Sequence, residues 1–434
     1  MKRFSRLTVF SLLVLLTVGM FSAVTAQESA SGVGRIAYID SGYNLHIWDA
    51  ATQQDRPVTT DAIVTQNAAR IYQYPTWATD GRLAYFASTF DSTGNGMLEV
   101  YIASGTGEAG TVRYSSETEA ITYAYWSPGP CAAGENCRQL AALLSDSQAG
   151  AFVVRLIADG GAEQPIQTAG TGAPFYFGWS SDGERMVWHR NNASVEVFDV
   201  RQGEVTATLS TSPGLFAAPS FAPDGSALFV GRDGEIDQLR IAAADGTESS
   251  YPLDGRAGAT FAWSPDGTRI AFAAPAGRIS VIDTATGAVI AQSPEDEQPF
   301  AYFWSPDGRK IAYLTVLTTA APDAPAPIPN SGLSAKRRPP AQDSFNGIVW
   351  NVLDLEAQTV AQSPAFFPTR EFVYLLSYFD QFALSHRVWS PDSRAITYSR
   401  FDDGQRAEVM VWDISADQPF ALAEGVFSVW SFDE

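Results

Sequence analysis

The phrase Trp-Ser-Pro-Asp-Gly stands at Trp263 and again at Trp304, each time followed by a basic residue and an apolar run: "WSPDGTRIAF" and "WSPDGRKIAY". Weaker forms recur as "WATDG" at Trp77, "WSPGP" at Trp126, "WSSDG" at Trp179, "FAPDG" at Phe221, "WSPDS" at Trp389 and "WSFDE" at Trp430. The steps between these positions are 49, 53, 42, 42, 41, 85 and 41 residues. A period of roughly 40–45 residues is that of one four-stranded propeller blade, so the repeat constrains the fold more than any other feature.

The segments between the phrases share one grammar. A strand follows the turn ("RLAYFA", "RMVWHR", "RIAFAA", "KIAYLT") and a second follows that ("LEVYIA", "VEVFDV", "ISVIDT", "EVMVWDI"). A polar turn and a last short strand close the unit. β-Branched and aromatic residues alternate with period two, and no long helical stripe appears, which predicts an all-β chain. In the turn, Pro fixes φ at the second position, Asp suits the third, and Gly supplies a positive φ. The Trp before it is expected to pack between neighbouring blades.

The first predicted strand, "RIAYID" from Arg35, has no such phrase before it, and the last phrase at Trp430 has no strands after it. These halves complement each other, so the C-terminal strand is expected to join the N-terminal ones and close the ring. Seven intervals and this composite unit predict an all-β β-propeller of eight four-stranded blades. Seven remain possible if one weak unit is irregular. The 85-residue step holds a single strand set, "KIAYLTV", "NGIVWNVLDL" and "QTVAQSPAF", with two insertions.

These repeats resemble those of TolB-like proteins and the WD40-like propeller domains of the prolyl oligopeptidase and dipeptidyl peptidase IV families. The resemblance covers residues 35–434 and implies the propeller fold; one such architecture hosts many roles, so it does not select a function. Two features of those families are not matched. About ten residues separate the expected signal from the first strand, where TolB-type proteins carry an α/β domain. The nearest string to a Gly-x-Ser-x-Gly elbow is "GWSSDG" around Ser180, a propeller turn. No catalytic residue is carried over.

Residues 1–26 read as a cleavable secretory signal: Lys2, Arg3 and Arg6, an apolar stretch from Leu7 to Phe21, then Val24-Thr25-Ala26. Residues 27–34 are a short linker, and 35–434 the propeller domain. A secreted or periplasmic protein without stable membrane insertion follows. The formal charge of −20 becomes −23 when those three basic residues leave, which disfavours nucleic acid and anionic lipid. Apolar residues at 45% supply a core for a chain of 434 residues. Cys131 and Cys137, in "CAAGENC", are expected to form one disulfide, whose short loop contributes roughly 2 kcal/mol.

Candidate chemistry is sparse. His46 and His189 lie on predicted strands without metal-ligand spacing, so neither a metal nor a cofactor is expected. "DSTGNG" from Asp91 reads as a hairpin loop rather than a calcium loop. Two insertions break the grammar. Residues 317–345 are rich in Pro and Ala and carry Lys336, Arg337 and Arg338, a docking-loop candidate. The second, 371–388 within "REFVYLLSYFDQFALSHRVWS", concentrates Tyr378, Asp380, Gln381, Ser385, His386 and Arg387. A short helix there, followed by the next inner strand, would bring some of these residues near the central channel. Tyr378, Asp380, Gln381, His386 and Arg387 are the ligand-binding candidates, with plugging of the channel as the other reading. Asp380, Ser385 and His386 invite a triad, but no oxyanion donors are identifiable. The expectation is a monomeric, non-catalytic module for a protein, peptide or cell-envelope ligand. The alternative is a hydrolase or lyase using Asp380 and His386 at the channel mouth.

Overall fold

The computed structural model describes residues 33–131, 134, 137–160, 166–253, 256–319 and 344–433. The expected signal segment and the basic triplet Lys336, Arg337 and Arg338 lie outside the described residues. The chain is all-β. Its two helices among the described residues are α1 (Arg370–Ser377) and α2 (Phe379–Phe382).

Antiparallel strands follow one another in repeated sets, and each four-stranded sheet runs in chain order. One set runs Phe175–Trp179, Arg185–Arg190, Ser194–Asp199 and Glu204–Ser210; another runs Ala301–Trp304, Lys310–Thr319, Ser344–Asp354 and Thr359–Gln362. Five sheets have four strands, one has five and one has seven. The seven-stranded sheet is two sets sharing the strand Phe420–Trp430. The first half of that strand pairs with Ala407–Asp413, and its second half pairs with Arg35–Asp40, from Asp40↔Gly425 to Ile36↔Trp430. The last strand therefore does join the first, as the complementary half-units predict. The 85-residue step holds the single set Ala301–Gln362 followed by the set that contains Trp389, with no ninth unit among the described residues. This repeated radial arrangement is that of a β-propeller.

The repeated phrase has a repeated job. Trp126 donates its indole N–H to the carbonyl of Thr76 (3.0 Å), Trp179 to that of Tyr125 (3.1 Å), Trp304 to Ala262 (3.1 Å) and Trp389 to Phe303 (3.2 Å). Each acceptor immediately precedes the Trp (or its counterpart) of the neighbouring set, so the bonds step from unit to unit. Arginines of one set lie over the rings of the next: Arg35 over Trp77 at 4.9 Å, Arg185 over Phe221 at 5.4 Å and Arg269 over Trp304 at 5.5 Å.

Within the turn, Ser264 donates to Asp266 (2.5 Å) and accepts from the amide of Arg269 (3.0 Å), while Gly267 donates to the Ser264 carbonyl at a φ of +71°. Burial tends to raise the Asp266 pKa, but the donors of Ser264 and Thr268 outweigh it and hold the carboxyl down at about 2. Ser180–Asp182, Ser305–Asp307 and Ser390–Asp392 repeat the same bond. The hydroxyl is thus a fixed part of the hairpin. Gly183 also allows close approach: a Cβ there would sit 2.1 Å from the Ser127 hydroxyl of the preceding set.

Cys131 and Cys137 are joined as a disulfide, with Cα atoms 5.3 Å apart. Asp91 caps a hairpin loop through the amides of Thr93 and Asn95, as "DSTGNG" suggests.

The ladder makes a differential prediction. Trp126→Phe removes the bond that the Thr76 carbonyl accepts from the indole and should lower unfolding free energy by about 0.5–1.5 kcal/mol more than the volume change alone. Trp77→Phe, at a position whose indole N–H has no partner, should lack that increment. Denaturant midpoints of the two variants check this; equal losses would remove the ladder from the account.

Candidate functional site

The second insertion does not precede an inner strand; it interrupts one. The strand begins as Phe367–Pro368, paired with Arg400 and Phe401, and resumes at Trp389, bridged to Ile396. Between them the chain leaves at Thr369, which caps α1 by accepting from the Phe372 amide and donates to the Val426 carbonyl (2.6 Å). The helical stretch therefore enters the space enclosed by the first strands of the sets. Phe372, Leu375, Leu376, Phe379 and Phe382 merge with Phe177, Tyr302 and Phe427 into the main core.

Polar side chains fix this plug. The Gln381 amide oxygen accepts from Phe177 N–H (3.0 Å), and its NH2 donates to the Phe177 carbonyl (2.7 Å). Tyr123 donates to the Gln381 carbonyl at 2.9 Å, and Tyr374 to the Thr122 carbonyl at 3.2 Å. His386 shares hydrogen bonds with Thr76 Oγ1 through Nε2 (3.1 Å) and with Ser385 Oγ through Nδ1 (2.7 Å). Burial drives its pKa down to about 3, so the ring is neutral in ordinary buffers. Asp380 accepts from the amides of Ala218 (3.3 Å) and Gln381 (3.0 Å); burial pushes its pKa up, and these amides offset part of that rise.

The five ligand-binding candidates thus separate. Gln381 and His386 are buried with their side-chain polar atoms bonded to protein. Tyr378 is exposed at 41% and packs beside Tyr374 at 5.3 Å. Asp380 and Arg387 face a cavity of about 410 Å³ at the side of the Ser-Pro-Asp-Gly turns, which His386 also borders. The triad candidates meet only in part: Ser385 and His386 are bonded, while Asp380 is held by backbone amides rather than by the imidazole.

On the other side of the plug, α1 and the strand Ala69–Trp77 border a cavity of about 440 Å³ containing Tyr43, Tyr72, Tyr74 and Tyr374. Tyr43 and Tyr74 both hold left-handed backbone, at φ of +65° and +52°. For tyrosine that conformation is strained and needs support from its surroundings. Sequence reasoning missed these tyrosines. The signal was available: an aromatic residue precedes the phrase by two or three positions in "YQYPTW", "TYAYW", "FYFGW" and "AYFW". Those rings are the wall that holds the plug.

His46 lies between Asp55 (2.9 Å) and Asp40 (3.3 Å) and stacks on Tyr38, while His189 is buried against Phe216. Among the described residues no group of three His, Cys, Asp or Glu is placed to hold a metal ion. No helix among them is long and apolar enough to cross a membrane.

No family model matches the chain, and no curated protein does. Solved structures similar to it include the C-terminal WD40 domain of Sif2, at 13% identity and a TM-score of 0.45 over 91% of this chain and 93% of that one. TolB from Acinetobacter baumannii is similar at 14% identity and a TM-score of 0.36 over 84% and 82%. Hydrazine synthase from Kuenenia stuttgartiensis is similar at 14% identity and a TM-score of 0.39 over 66% and 77%. At such identities the likeness concerns the fold alone.

Two predictions follow from the plug. Gln381→Met keeps the volume but leaves both Phe177 backbone groups unpaired, and should cost about 2–4 kcal/mol by denaturant unfolding. His386 binds its proton near pH 6.5 when unfolded and only near pH 3 when folded, so its stabilising effect is full above about 6.5 and is lost progressively as pH falls toward 3. Between pH 6 and 4, wild type should lose about 1.4 kcal/mol per pH unit more than His386→Gln. Parallel pH profiles would contradict this.

Proposed function

We propose that this chain is an extracytoplasmic, non-catalytic binding module whose eight blades form a closed ring and present one face to a protein, peptide or cell-envelope ligand. The observation that carries the reading is that both insertions leave the sheets at the same end. The strand pair Lys310–Thr319 and Ser344–Asp354 opens into the first insertion beyond Thr319↔Ser344. The chain reaches α1 past Phe366, bridged to Ile348 toward that same end of the sheet.

Other features support this face. Leu215, Phe300 and Val316 are exposed around a cavity of about 960 Å³, and exposed apolar groups gathered in this way suit a macromolecular partner. The two strained tyrosines line the neighbouring cavity beside α1. The Cys131–Cys137 disulfide suits an oxidising compartment. Gln381, Ser385 and His386 are engaged in holding the plug, and the Asp380 carboxylate does not engage His386.

Replacing 317–345 by a short Gly-Ser linker should abolish a cross-linked partner captured from envelope extract, while circular dichroism stays unchanged. Capture that is indifferent to the replacement would count against the insertion face. Purified protein should show no hydrolase or lyase turnover dependent on His386. Turnover abolished in His386→Ala, with the fold intact, would overturn the non-catalytic reading.

A further inference from the structure

The opposite mouth of the channel, on the side of the Ser-Pro-Asp-Gly turns, has a different chemistry. Its cavity of about 410 Å³ is walled by turn residues including Pro265 and Pro306, with the rings of Trp263 and Trp304, and the end of the plug contributes Asp380 and Arg387. Trp263 and Trp304 are partly exposed here, whereas Trp77, Trp126, Trp389 and Trp430 are buried.

Arg387 is the unusual group. Its Cζ lies 4.3 Å from the centre of the Phe432 ring, and its Nη1 reaches the Phe432 carbonyl at 3.5 Å, the far limit of a hydrogen bond. No carboxylate of the described residues stands within 4.0 Å of its guanidinium, although Arg35 and Arg269 each have one: Asp433 and Asp266. Burial lowers the Arg387 pKa to about 10, which leaves it charged at neutral pH. A guanidinium has five donors, and withdrawing it from water without a counter-ion is costly. Arg387 borders a space large enough for a small ligand.

We propose that this mouth binds a monocarboxylate with an apolar or aromatic body, its carboxylate held by Arg387 and its body set against the Trp263 and Trp304 rings. The planar guanidinium fork matches a carboxylate in bidentate fashion. A phosphate dianion would face Asp380 in the same cavity and the chain's formal charge of −20. The carboxylate can belong to a free organic acid or to the C-terminus of a peptide, and the chemistry at Arg387 is the same.

The test titrates the full chain with N-acetyl-phenylalanine and with acetyl-Gly-Pro-Phe, each as the free acid and as the amide, following tryptophan fluorescence and heat. The acids should bind saturably, and the amides about ten-fold or more weakly. Arg387→Met should remove the preference for the acid, and Arg387→Lys should retain part of it. Arg56→Met, at a distant surface arginine, should leave it unchanged. Binding of N-acetyl-phenylalanine as tight as that of the peptide assigns the site to a small acid; a clear gain with the peptide assigns it to a chain terminus. Equal binding of acid and amide, or no saturable binding of any probe, overturns the proposal, and this comparison needs only wild type should Arg387→Met fail to fold. This mouth lies away from the insertion face, so replacing 317–345 should not affect it, and the two readings fail separately.

Discussion

At four of the repeat positions, a bond between a tryptophan indole N–H and the backbone carbonyl of the neighbouring unit ties one set of strands to the next. A propeller sheet is satisfied along its own strands and meets its neighbours only through faces and ends. Face packing is largely non-directional, so it resists separation better than it resists sliding. A hydrogen bond from Trp126 to Thr76, repeated at Trp179, Trp304 and Trp389, fixes the relative height of adjacent innermost strands. A Ser-Asp turn follows Trp179, Trp304 and Trp389 at the strand end, and Arg35 and Arg269 close over the rings of the next unit.

A ring of such strands leaves a channel, and this chain fills it by interrupting one of its own first strands. The plug is held less by its short helices than by the hydrogen bonds it makes with the surrounding strands, above all from Gln381 to the Phe177 backbone and from His386 to the Thr76 hydroxyl. Its chemistry is therefore split. Side chains that look reactive in the sequence are those that anchor it, while Asp380 and Arg387 at its inner end remain turned to a cavity. The plug also divides the channel into two mouths of unlike character. One is rich in tyrosine beside α1; the other combines tryptophan, proline and an arginine that has no carboxylate within 4.0 Å among the described residues.

How much of this was legible depends on the range of the interaction. The strands, the positive φ at Gly183 and Gly267, and the pairing of the last strand with the first are local or periodic, and the repeat of about 42 residues wrote them plainly. The insertion 371–388 was visible as a break in that rhythm. What it does was not, because its partners come from Thr76, Tyr123, Phe177 and Ala218, between 162 and 310 positions away. No local pattern marks Gln381 as a backbone clamp and Arg387, six positions later, as open to a cavity.

The sequence by itself determined the unit: its length, its strands, its turn chemistry and the aromatic residue that ends each first strand. These follow from backbone sterics and from period-two alternation, which act within a few residues. Only the tertiary structure decided which polar groups of the insertion are buried and bonded and which face a cavity. That choice depends on how far the plug descends into the channel and on which neighbouring amides and carbonyls stand there to meet it. Desolvation and long-range hydrogen bonding set that depth, and neither is expressed in any single stretch of the chain.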